Sequence, residues 1–143
     1  MNQVEILYPM AALAVLTFAV LLVVPYRRFK AAFARQVRAD DFKYGESKNV
    51  PPEVGIPNRN YMNLLEMPLL FYVACITLYV TKSADRDLLY LAWGYFALRL
   101  LHSTVHLSYN KVMHRLTLFA LSNVVLAVVW VRVLSRLSAG SVS

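Results

Sequence analysis

Two stretches of this sequence carry ionisable and amide side chains inside otherwise apolar surroundings. In "RNYMNLLE", Arg59, Asn63 and Glu66 stand at i, i+4 and i+7, a spacing that puts all three on one stripe of a helix. In "RLLHSTVHLSYN", Arg99, His102, His106 and Tyr109 stand at i, i+3, i+7 and i+10, again one stripe. Arg115 and Phe119 follow four residues apart, and Arg27 closes an apolar run near the start. Guanidinium groups hold carboxylates through paired, charge-assisted hydrogen bonds. Arg27, Arg59, Arg99 and Arg115 set against Glu66 leave a surplus of positive charge, four groups to one. A small molecule with carboxylates, and an amine for Glu66, would suit that set. Glu66 is expected to pair with Arg99 or Arg59, because a lone carboxylate is unstable in an apolar medium. His102 and His106 at i, i+4 are also the spacing of a metal or haem pair. Zinc would need a further ligand from Glu66 or His114, and the anion-binding reading needs no metal.

The elements that position these residues read as membrane helices. The chain has 143 residues, 59% of them apolar and only 16% charged, with a mean hydropathy of +0.49. A soluble domain is nearer half apolar and a quarter charged, so this composition has too little polar surface for a water-soluble globule. The run from Ile6 to Tyr26 is free of charge and long enough to span the hydrocarbon, which takes roughly 20 residues. It has no basic flank before it and no small-residue cleavage site after it, which is unlike a signal peptide. Three further segments follow, interrupted by the polar residues above. The expectation is one all-α domain over residues 1–143, an integral membrane four-helix bundle with helices at about 4–35, 57–82, 86–109 and 113–137.

Charge sets the orientation. The loop after the first helix carries Lys or Arg at 27, 28, 30, 35, 38, 43 and 48, so the positive-inside rule puts it in the cytoplasm. The end of the third helix and the start of the fourth then lie on the same side. All the polar sets therefore fall in the cytoplasmic half at similar depth, and a bundle would bring them together. The net charge of +7 reads as attraction to the lipid bilayer and its anionic headgroups, not to nucleic acid, because the basic residues flank apolar runs. The single cysteine, Cys75, lies inside an apolar run and reads as a small buried hydrophobe.

These motifs resemble the MAPEG superfamily, the membrane-associated proteins in eicosanoid and glutathione metabolism. "RNYMNLLE" is similar to its R-x-x-x-N-x-x-E motif at the second helix. "RLLHSTVHLSYN" is similar to R-x-x-H/Y-x-x-x-Y on the third, and "HRLTLF" to R-x-x-x-Y opening the fourth. Two positions depart from the pattern: His106 stands where many members have tyrosine, and Phe119 replaces a tyrosine found near the thiol in some members. Pro68 also comes one residue sooner after the glutamate than in close eicosanoid relatives. The resemblance implies a homotrimer that binds glutathione in a cleft between protomers. Arg27, Arg59, Asn63, Glu66, Arg99, His102, His106 and Tyr109 would line that cleft, Glu66 taking the amine and Arg59 a carboxylate. Arg115 would be catalytic, stabilising the thiolate. The implied activity is a glutathione-dependent transferase or peroxidase acting on a lipophilic electrophile or hydroperoxide, with the site facing the cytoplasm of a bacterial inner membrane. The alternative is a non-catalytic binding or scaffold protein of the same fold.

Overall fold

The computed structural model describes residues 2–140. A 3-10 turn, Gln3–Ile6, leads into α1 (Leu7–Phe33). Asn2 caps that turn by accepting from the Val4 amide at 3.1 Å, as N-cap amides do. Next come α2 (Pro52–Leu65), α3 (Pro68–Val80), α4 (Arg86–Leu107) and α5 (Val112–Gly140). No strand forms among the described residues.

The segment expected as one helix over 57–82 differs in two ways. It begins earlier, at Pro52, where proline suits the first helical position. It also breaks at Glu66, whose ψ of -91° is not helical. Pro68 is the reason: it has no N–H to donate, and its ring collides with the carbonyl four residues back. The chain restarts with Pro68 as the first residue of α3. Arg35 and Lys82 take positive φ just beyond α1 and α3, the left-handed conformation that commonly closes a helix.

One apolar core joins the helices. α1 contributes Leu13 and Val20, α3 contributes Phe71, Ala74, Cys75 and Leu78, α4 contributes Leu88, Ala92 and Tyr95, and α5 contributes Leu126, Val129 and Val133. Their spacing of three, four and seven marks the inner stripe of each helix. The outer faces are apolar as well: Phe18, Leu22, Val124 and Val131 are each more than 60% exposed. Such a surface is unsuited to water but suited to hydrocarbon. Gln3–Phe33, α2 with α3, and the stretch Val112–Ser138 are long and apolar enough to cross a membrane. α4 falls outside that set because its inner stripe changes character. It runs Leu88, Ala92, Tyr95, then Arg99, His102 and His106, all buried.

The long loop is ordered by Asp41. Its carboxylate accepts from the Arg38 amide at 2.8 Å and from the Ser47 hydroxyl at 2.7 Å, and those two hydrogen bonds hold its pKa below the ordinary 3.8. Glu46 fastens the loop to the bundle. It lies 3.7 Å from Arg28 of α1, and its carboxylate packs so close to Gly55 of α2 that a Cβ there would meet it at 2.5 Å.

Candidate functional site

The polar half of the α4 stripe faces α2 and α5 near the loop end of the bundle. Arg99 is fully buried. Its Nη2 donates to the Asn63 carbonyl at 2.6 Å, a carbonyl in the last turn of α2 that an ending helix leaves free. The break at Glu66 and the buried arginine are thus one feature: the guanidinium caps a helix end inside the membrane-spanning stretch. This replaces the expected ion pair, since Glu66 forms none with Arg99 or Arg59 among the described residues. Glu66 is exposed at the break instead.

The other donors of Arg99, Nε and Nη1, have no hydrogen-bond partner. The guanidinium carbon stands 5.7 Å from the centre of the Phe119 ring. His102 lies 6.1 Å from the same ring and 5.7 Å, edge to face, from His106. Both histidines are buried, and Nδ1 of His102 and both nitrogens of His106 are unpartnered. Arg115 is half-buried. Its Nη1 donates to the Asn110 side chain at 2.6 Å, while Nε is unpartnered. Leaving a buried polar atom unpaired costs about 1–3 kcal/mol, so this concentration of unpaired donors is not there for stability.

The expected site residues divide into two groups. Arg99, His102, His106 and Arg115 converge within one chain, with the Asn63 backbone among them. Arg27 and Tyr109 stand apart from that cluster, while Arg59 and Glu66 form no hydrogen bond or ion pair within it and act only through charge, Arg59 on His106 and Glu66 on Arg99. Arg27 lines a cavity of about 250 Å³ with Lys30, Gln36 and Glu53. Arg59 is exposed and lines another of about 340 Å³ with Glu46, Ser47 and Lys48. Tyr109 lies beyond the end of α4, and its hydroxyl meets His114 Nδ1 at 2.9 Å. That pair borders an open groove of about 360 Å³ with Leu101, Val105 and Leu118.

Three polar residues join the site without having been expected from the sequence. Asn60, fully buried, accepts from the Ser103 hydroxyl at 3.1 Å and keeps an unpartnered Nδ2. A buried asparagine one residue from the arginine stripe carries no spacing signal, but Ser103 beside His102 does fall on the inner face of α4. Asn110 has two tasks: its positive φ closes α4 and its side chain holds Arg115. An Asn in a short turn between two helices was the available signal for the first task.

An apolar helix bundle with arginine and histidine buried at one end of its interior defines an integral membrane protein. More narrowly, the chain belongs to the MAPEG family, whose profile matches residues 6–135. No curated protein and no solved structure matches it.

Proposed function

We propose that this MAPEG-family protein is a glutathione-dependent transferase or peroxidase of a bacterial inner membrane, acting on lipophilic electrophiles or hydroperoxides. One observation carries the reading: Arg99, His102, His106 and Arg115 are near neighbours, and each keeps at least one buried nitrogen without a hydrogen-bond partner. Donors of this kind suit the carboxylates and thiolate of glutathione. Glutathione supplies the nucleophilic thiol, so no side chain has to become one. A free thiol ionises near pH 8.5. A fixed guanidinium in a dry site favours the ionised form, and Arg115, oriented by Asn110, is the group assigned to it.

Arg27, Arg59 and Glu66 belong to the same proposal through assembly. A carboxylate exposed within a membrane-spanning stretch is costly against lipid. A neighbouring protomer covering Glu66 would remove that cost, and the assembly proposed is a homotrimer with glutathione between chains, on the cytoplasmic side. In that arrangement Glu66 takes the amine, Arg59 and Arg27 take carboxylates, and Asn63 and Tyr109 line the cleft.

A non-catalytic binding protein is the second reading, and Phe119 favours it. The ring lies beside Arg99 and His102 and offers no hydroxyl to a sulfur. Turnover assays with generic electrophiles and hydroperoxides separate the two. The enzyme reading expects glutathione-dependent turnover that Arg115→Ala lowers by about 10²-fold or more. Glutathione binding without turnover on any of them favours the binding protein.

A further inference from the structure

Deprotonating a thiol in a dry site leaves a proton to be placed, and few groups at this end of the bundle can take it. Arginine cannot, since it stays protonated in proteins. Asn60 and Ser103 are not bases near neutral pH. Tyr95 lies deeper, its ring stacked on Phe71 at 4.5 Å in the apolar core. Glu66 is exposed and hydrogen-bonds to no member of the cluster, its charge acting on Arg99. His114 is exposed and already meets the Tyr109 hydroxyl at 2.9 Å; the two buried imidazoles remain, and imidazole is the side chain suited to exchanging protons near neutrality.

The rings differ in their surroundings. His102 packs against Phe119. His106 has both nitrogens unpartnered and stands one turn nearer the end of α4. Arg115 from α5 and Arg59 from α2 are cations acting on it, so a positive charge on this ring needs the thiolate's negative charge beside it, and His102 is its ring neighbour on α4. At 1% exposure its ring is shielded from bulk water.

We propose that His106, backed by His102, is the proton acceptor for the thiol bound at this site, an inference that rests on the glutathione reading above. The S–H bond breaks, its electron pair stays on sulfur, and an N–H bond forms on His106. When sulfur then bonds to carbon of an electrophile, the anionic atom so created takes the proton back, and the imidazole returns to neutral. The competing route is thiolate formation driven by Arg115 alone, with the proton passing to water.

The two routes differ in the charge on a histidine. Full-length protein carrying isotope-labelled histidine, in detergent near neutral pH, is compared by nuclear magnetic resonance alone, with glutathione, and with S-methylglutathione. The chain has three histidines, so His102→Asn, His106→Gln and His114→Gln assign the signals. If one variant fails to fold, the other two assign its signal by elimination. The expected result is one imidazole, that of His106, converted to imidazolium by glutathione and left neutral by S-methylglutathione. In the same preparation His106→Gln should lose about 10²-fold or more in turnover, with part recovered at alkaline pH. Thiolate absorbance appearing while every histidine stays neutral overturns the proposal and leaves the glutathione site standing. Neither ligand moving any signal, with no heat of binding, overturns the glutathione reading and this inference with it.

Discussion

The two ends of the bundle treat their polar groups in opposite ways. At the end away from the long loop, contacts are closed. Gln3 donates to the Ala84 carbonyl at 3.0 Å and accepts from its amide at 2.9 Å, tying the chain start to the α3–α4 turn. Asp85 caps α4 by accepting from the Leu88 amide at 2.9 Å, and it pairs with Arg132 at 3.1 Å and with Arg136. Burial pushes the Asp85 carboxyl upward, but the Leu88 amide and the charges of Arg136 and Arg132 outweigh it and hold the pKa below 3.8. At the loop end, Arg99, His102, His106 and Arg115 are gathered yet keep unpartnered nitrogens. One end spends its polar atoms on holding helices together, and the other keeps them available. The same side-chain types thus read as structure or as site according to whether their partners are already in the chain.

Substitutions at the two ends should therefore separate stability from chemistry. The largest effect expected is on turnover: Arg115→Ala loses about 10²–10³-fold with little change in thermal unfolding. Normal turnover in that variant would end its assigned role. Asp85→Ala comes next and acts the other way. It removes a helix cap worth about 1 kcal/mol and two partly exposed ion pairs worth about 0–1 kcal/mol each. Unfolding in detergent should shift by that sum while turnover holds. His106→Leu is expected to raise stability by about 1 kcal/mol, because it removes a buried group with two unpaired nitrogens, and to abolish the thiol chemistry. A destabilised His106→Leu would mean that the ring has structural partners.

The smallest effect is on pH. Asp41 and Asp85 both have folded pKa values below 3.8. A depressed carboxylate contributes stability above its unfolded pKa and loses it as pH falls through the folded value. Loop order and the Arg132–Asp85–Arg136 tie should hold at neutral pH and loosen only below about pH 3.8. Limited proteolysis across that range checks the loop, and Asp41→Asn should remove its part of the acid dependence.

Much of this contrast could be read from residue order. Arg99, His102 and His106 sit at helical spacing in an apolar run, and the helix places them on one buried stripe. Residue type and period determine that jointly. The break at Glu66 was less legible. Pro68 announces it, but a proline in a membrane helix can equally give a kink, and only the placement of Arg99 against the Asn63 carbonyl shows how the open end is satisfied. That contact also explains why Arg99 does not meet Glu66. A charge count favours the carboxylate, while the local geometry puts a free carbonyl closer. Tyr109 illustrates a different limit. Its i+10 position continues the α4 stripe only if the helix continues, and the helix stops at Leu107, which turns the ring toward His114. Ser103 lies on the α4 stripe, but its pairing with Asn60 has no spacing signature, because a single buried hydrogen bond between two helices depends on their crossing and not on either sequence alone.

Glutathione binding at the loop end, as proposed, is tested most directly by titration calorimetry of glutathione into the detergent-solubilised protein, with Glu66→Gln and Asp85→Ala beside wild type. A saturable heat is expected in wild type and in Asp85→Ala, weakened in Glu66→Gln by loss of the amine contact. No heat in wild type at millimolar glutathione, or equal heats in Glu66→Gln and wild type, would contradict the proposed site.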